Sequence, residues 1–82
     1  MELINIGFGN LVFTNKIVSI VAPDSAPIKR MIKLAKDNNK LIDASGGRKT
    51  KSVIITESDH IILSYLSVEG LYDRINSEVQ DD

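Results

Sequence analysis

The chain has 82 residues and no cysteine, which allows one domain and excludes disulfides, thiolate chemistry and cysteine-ligated zinc. At 43% hydrophobic and 26% charged, with a formal net charge of −1, it has the composition of an ordinary soluble protein. No apolar run approaches the roughly 20 residues that span a bilayer, and Met1-Glu2-Leu3-Ile4-Asn5-Ile6 lacks the basic start and long apolar core of a secretory leader, so a folded cytoplasmic domain is expected.

Short strands are predicted near 3–6, 11–14 and 16–22, separated by the turns Gly7-Phe8-Gly9-Asn10 and Thr14-Asn15. Apolar groups in Ile17-Val18-Ser19-Ile20-Val21-Ala22 point to both faces, so both faces need cover. Pro23 stops that strand. Asp24 or Ser25 then offers an N-cap oxygen, and Pro27 falls in the first helical turn, where proline is tolerated. The helix should run to about Lys40, with Ile28, Met31, Ile32 and Ala35 on one stripe and Lys29, Lys33, Lys36 and Lys40 on another. Strands follow at 41–44, 53–56 and 61–66, with turns at Ser45-Gly46-Gly47 and Glu57-Ser58-Asp59-His60. Ser67 can cap a last helix whose stripe is Val68, Leu71, Tyr72, Ile75 and Val79, with fraying expected at Gln80-Asp81-Asp82. The outline is a small α+β domain, mostly short antiparallel strands with a central basic helix and a C-terminal helix. Two short helices cannot cover every apolar face of so many strands, so self-association is expected.

The near-neutral total hides an asymmetry. Residues 29–51 hold eight basic groups (Lys29, Arg30, Lys33, Lys36, Lys40, Arg48, Lys49 and Lys51) against Asp37 and Asp43, a net +6, while the remaining residues carry −7. A basic face on an otherwise acidic chain suits a polyanion. An unpaired lysine stripe repels itself, so a partner explains it better than a merely solvated face does; a membrane surface or acidic protein is a weaker alternative. In Ser45-Gly46-Gly47-Arg48-Lys49-Thr50-Lys51 the glycines allow close backbone approach, and Arg48 can present a planar fork to phosphate or a guanine edge. The bland alternative is a charged hairpin loop. Phe8, Phe13, Tyr65 and Tyr72 are not interleaved with the basic cluster in sequence, which favours duplex DNA held through phosphates over stacked single strands or RNA.

Catalysis has no support at this level. Gly7-Phe8-Gly9-Asn10 lacks the third glycine and following helix of a phosphate-binding loop and reads as a turn. His60 is the only histidine, so no metal site is expected, and the carboxylates form no recognisable acid/base pair. No cofactor or small-molecule substrate is expected.

Four stretches together resemble one family: Asn5-Ile6-Gly7-Phe8-Gly9-Asn10, Ser25-Ala26-Pro27-Ile28-Lys29-Arg30-Met31-Ile32, Leu41-Ile42-Asp43-Ala44 through Gly47-Arg48-Lys49-Thr50, and Ser58-Asp59-His60-Ile61-Ile62-Leu63-Ser64. Spanning about Ile4 to Tyr65, they look like the RemA family of bacterial regulators of extracellular-matrix (biofilm) genes. The resemblance implies a DNA-binding, non-enzymatic transcriptional regulator, nucleoid-associated, that assembles into a closed ring, an octamer among the candidates. It places Arg30, Arg48 and Lys49 at family DNA-contact positions, Lys16 at another basic position, and Pro27 at a functionally important one. The family usually has arginine at Lys16 and an arginine pair at Arg48-Lys49, and lysine lacks the bidentate fork.

The expected DNA-binding set is therefore Lys16, Lys29, Arg30, Lys33, Lys36, Arg48, Lys49 and Lys51, with Pro27, Gly46 and Gly47 structural. The alternative is an assembly or scaffold module whose basic face meets an acidic protein or RNA.

Overall fold

Two runs, Val53-Ile54-Ile55-Thr56 and Ile61-Ile62-Leu63-Ser64, send apolar side chains to both faces, and they form the two central strands of the main sheet. The computed structural model describes residues 2–80, with side chains through residue 77. In chain order its elements are β1 (Leu3–Asn5), β2 (Leu11–Phe13), a single 3₁₀ turn (Thr14–Lys16), β3 (Ile17–Val21), α1 (Ala26–Asp37), β4 (Leu41–Asp43), β5 (Ser52–Thr56), β6 (Ile61–Ser64) and α2 (Val68–Gln80). This is the expected small α+β domain. Strands β1 and β2 pair as an antiparallel ribbon, and the other four form a sheet in the order β3-β5-β6-β4.

Within that sheet β3–β5 and β5–β6 are antiparallel, whereas β4 runs parallel to β6. Parallel β3 and β4 therefore lie at opposite edges, joined by α1 as a crossover. Helix α1 covers one face, where Ala35, Val53, Ile61 and Leu63 are buried with Ile28, Met31 and Ile32 packed against them. The β1–β2 ribbon and α2 cover the other, around Ile4, Ile6, Ala44, Ile54, Ile62 and Leu71.

Several boundaries differ from the sequence reading. Helix α1 ends at Asp37 rather than Lys40, because Asn39 turns left-handed at φ 59. The Lys40 N–H then donates to the Ala35 carbonyl at 2.7 Å and Asn39 N–H to Lys36 at 3.3 Å, the crossed bonds of a Schellman stop. Lys40 thus leaves the lysine stripe. Ser25 occupies the N-cap, yet its hydroxyl makes no cap bond. Its carbonyl accepts from Lys29 N–H at 3.0 Å, and Pro27 lies in the first turn. Ser67 caps α2 as expected, its Oγ accepting from Gly70 N–H at 3.0 Å. Leu71 is buried and Ile75 packs against the core, but Tyr72 is 64% exposed and does not belong to the buried stripe. Val79 and the frayed end expected at Gln80-Asp81-Asp82 lie outside the residues whose side chains are described. Strand β3 carries a register shift between Ile17 and Ser19, which turns Val18 out to solvent at 65% exposure.

Leu71 fastens α2 to the ribbon-covered face. Leu71→Ala should cost about 2–5 kcal/mol through lost burial and a residual cavity. Asn39→Gly, which relieves the left-handed position, should be neutral to slightly stabilising, by about 1 kcal/mol at most. Urea denaturation at fixed protein concentration checks both.

Candidate functional site

The sheet has two ends of different character. Chain direction places the loop 44–51, the start of α1, the turn 7–9 and Tyr65 at one end. The opposite end holds the β5–β6 hairpin turn, the 3₁₀ turn before β3 and the C-terminus of α1. Strand β5 alone separates the two by about 13 Å, at strand rise per residue.

The loop between β4 and β5 is shaped by its own short-range bonds. Asp43 Oδ1 accepts from Ser45 N–H at 3.0 Å and from Ser45 Oγ at 2.6 Å. Arg48 N–H then donates to the Ser45 carbonyl at 3.1 Å, closing a turn through Gly46 (φ 63) and Gly47 (φ 81). Both central positions are left-handed, which glycine adopts without steric cost. The structure therefore gives a physical reason for both glycines. The two Ser45 bonds to the Asp43 carboxylate, side chain first, hold its pKa below the usual 3.8 against a small opposing desolvation.

Beyond the turn, Arg48, Lys49, Lys51 and Tyr65 line a concavity of about 330 Å³. All three basic residues are exposed, and none has a carboxylate within ion-pair distance among the described residues. Lys29 and Arg30, exposed near the start of α1, share this end of the sheet. Lys33 and Lys36 lie further along the helix; Lys33 stands 4.0 Å from Asp37, a weak contact between solvated groups.

Lys16 is placed elsewhere. It lies at the far end of the sheet, where its Nζ donates to Glu57 Oε1 at 2.9 Å beside an apolar groove. Within one chain it does not join Arg48 and Lys49. Lys40 also lies at that end, in a hollow with Asp59.

Phe8 and Tyr65 are the residues that the sequence reading missed. They sit against the basic loop, with ring centroids 4.8 Å apart and the Arg48 guanidinium carbon 5.8 and 5.6 Å from the two centroids. The aromatic-free patch expected from sequence is thus corrected, because the fold brings residues 8, 48 and 65 together. A phenylalanine between two glycines in a turn, with no core to join, was the available signal.

A groove of about 430 Å³ opens between the ribbon and the sheet, lined by Leu11, Phe13, Ile42 and Ile62 with Lys16 and His60. Leu11, Phe13 and Ile42 are exposed there at 57%, 43% and 47%. The His60 Nδ1 lies 2.8 Å from Ser58 Oγ, inside the hairpin turn. No group of three His, Cys, Asp or Glu side chains could hold a metal ion among the described residues, and no helix there is long and apolar enough to cross a membrane.

Comparison with known proteins finds relatives along nearly the whole chain. Residues 3–75 match the RemA-like family, described as extracellular matrix regulatory protein A-like. A relative from Oceanobacillus iheyensis is 56% identical, the match covering 100% of this chain and 98% of its own. One from Acetivibrio thermocellus is 54% identical over 100% of this chain and 88% of its own. One from Halalkalibacterium halodurans is 56% identical over 95% and 90%. Each is named, provisionally, as a regulatory protein. The chain belongs to the RemA-like family, and family and relatives support a regulatory role.

Asp43 gives the loop a pH dependence of definite sign. Its lowered folded-state pKa contributes order that is complete above 3.8 and is lost as pH falls through the lowered value. Asp43→Ala should remove that order at neutral pH, accelerating amide exchange at Ser45 and Arg48 about three- to tenfold. Exchange mapped by NMR checks it.

Proposed function

We propose that this chain is a DNA-binding regulator of extracellular-matrix genes, acting as a ring-like homo-oligomer that presents repeated copies of the loop end of its sheet to duplex DNA. The observation that carries this reading is the concavity of Arg48, Lys49 and Lys51, cations without a carboxylate partner among the described residues, on the end of the sheet shared with Lys29 and Arg30. Phosphates are the matching ligand, and each neutralised phosphate releases counterions. The choice of matrix genes rests on the family description.

Duplex remains favoured over single strands even with aromatics at the site. Phe8 and Tyr65 pack against each other and against Arg48, which leaves fewer ring faces for successive bases than an extended aromatic platform offers.

The ring is supported by what one copy leaves uncovered. Strands β3 and β4 are the two edges of the sheet, and each exposes a large apolar side chain, Val18 at 65% and Ile42 at 47%. A head-to-tail ring needs two different surfaces on every copy, and the two edges supply them. A loop patch of a few cations binds weakly alone, and repetition multiplies it through effective concentration. In such an assembly Lys16 would serve DNA from a different position on the ring than Arg48, since the two lie at opposite ends of each subunit.

Titrating duplex DNA across a salt series tests the binding. The logarithm of affinity should fall linearly with the logarithm of salt, and Arg48→Ala should weaken binding and lower that slope by about 0.9 while the native mass stays unchanged. Unchanged affinity in Arg48→Ala and Arg30→Ala together would sink the site. For the ring, native mass spectrometry at micromolar concentration should give a multimer. Ile42→Asp should shift it toward monomer and weaken DNA binding about tenfold or more; a monomeric wild-type chain would contradict the reading. Absence of any shift on a DNA gel at low salt would favour a scaffold role, and competition with RNA would decide between nucleic acids.

A further inference from the structure

Phe8 stands in a place that neither its backbone nor burial explains. It is the middle of three successive left-handed residues, Gly7 (φ 117), Phe8 (φ 54) and Gly9 (φ 75), a conformation that disfavours a bulky L side chain. Its side chain is 55% exposed, so a core contact does not account for it. The turn around it is firmly held. Asn5 Oδ1 accepts from Gly7 N–H at 2.8 Å, the Gly7 carbonyl accepts from Asn10 N–H at 3.0 Å and Asn10 Nδ2 at 2.9 Å, and Ile6 N–H donates to Asn10 at 2.8 Å. A phenylalanine at the tip of so fixed a turn owes its position to what its ring touches.

The ring touches three things: the Tyr65 ring, the backbone of Gly46 and the Arg48 guanidinium. Two loops are cut to fit the aromatic pair. A Cβ at Gly46 would overlap the Phe8 ring, and a Cβ at Gly7 would overlap the Tyr65 ring. The turn 7–9 and the basic loop are therefore locked together across these rings. Arg48, itself exposed, reaches over both, and its charge is attracted to the electron-rich faces. Lys49 and Lys51 have no such support among the described residues.

We propose that Phe8 is a positioning residue for Arg48: with Tyr65 it forms an aromatic shelf that pre-orders the guanidinium for a phosphate of the DNA backbone. This rests on the DNA-binding reading of the loop. A pre-ordered arginine loses less side-chain freedom on binding, so the shelf raises affinity without adding charge. Arg48 then fixes the register on the duplex, and the neighbouring lysines add diffuse attraction.

The test compares full-length wild type, Phe8→Leu, Phe8→Tyr, Arg48→Ala and the Phe8→Leu/Arg48→Ala double variant, each confirmed folded and of unchanged native mass. The probe is a mixed-sequence linear duplex, followed by fluorescence anisotropy. Phe8→Leu keeps bulk and removes the π face. It should weaken binding about two- to fivefold with an unchanged salt slope, and Phe8→Tyr should bind like wild type. On the Arg48→Ala background Phe8→Leu should have no further effect. In the free protein, the Arg48 side-chain NMR signals should show an upfield ring-current shift that Phe8→Leu reduces, the Tyr65 ring still contributing; this reads the shelf without DNA, and either no shift in wild type or an undiminished shift in Phe8→Leu overturns it. Wild-type affinity in Phe8→Leu overturns the inference, as does an equal loss on both backgrounds, which would make Phe8 an independent DNA contact or wedge. If Arg48→Ala alone leaves affinity unchanged, the DNA reading of the loop itself fails; if it weakens binding while Phe8→Leu does not, only the positioning role fails.

Discussion

The parallel pairing of β4 with β6 is the constraint on which the rest of the structure depends. Leu41, Ile42 and Asp43 align with Ile61, Ile62 and Leu63, so β4 must enter the sheet from the end opposite to the one where β3 finished. Only a crossover can make that connection, and α1 provides it. The same pairing delivers the chain, after Asp43, to the end of the sheet where β6 hands over to Tyr65. The basic loop, the start of the basic helix and the aromatic residue beneath Arg48 are neighbours because one short strand runs parallel and not antiparallel.

Charge in this chain is sorted by position more than by amount. A total of −1 suggests indifference to polyanions, yet residues 29–51 carry +6. Folding refines the grouping further. Lys40 lies at the far end, taken off the lysine stripe where the left-handed Asn39 stops α1, and Lys16 is held at that end beside Glu57. Arg48, Lys49 and Lys51 remain together on a loop beside Asp43, whose carboxylate accepts two bonds from Ser45. That carboxylate organises the loop through Oδ1, and no ion pair joins it to the loop cations among the described residues.

Much of the fold was legible in the sequence. The proline at 27 and the spacing of Ile28, Met31, Ile32 and Ala35 marked a one-sided helix, and Ser67 marked the next cap. These are local signals, read within one or two turns of chain. What was not legible is what depends on distant residues. The parallel sense of β4 follows from its partner 20 residues on, not from anything in Leu41-Ile42-Asp43. Tyr72 fits the helical stripe by spacing, but neither the ribbon nor the sheet reaches it. In the candidate site the cations could be read directly, because charge is visible in a sequence. The aromatic shelf could not, since residues 8, 48 and 65 meet only when the ribbon folds over the sheet.

The apolar groups exposed at the two sheet edges and the cationic loop lie on different parts of the surface, and that separation matters for the proposed assembly. Val18 and Ile42 sit along the two edges of the sheet, whereas Arg48 sits at one end of it. Contacts along the edges would stack subunits side by side without covering the loop, leaving every copy of the concavity open in the same direction around a closed ring. A surface of that kind would meet DNA along a curved path, with each subunit adding the same weak grip at a regular interval. Affinity would then come from repetition, and register from Arg48, the loop cation that lies over the two rings. A chain too small to build a large binding face would obtain one by copying a small face around an axis.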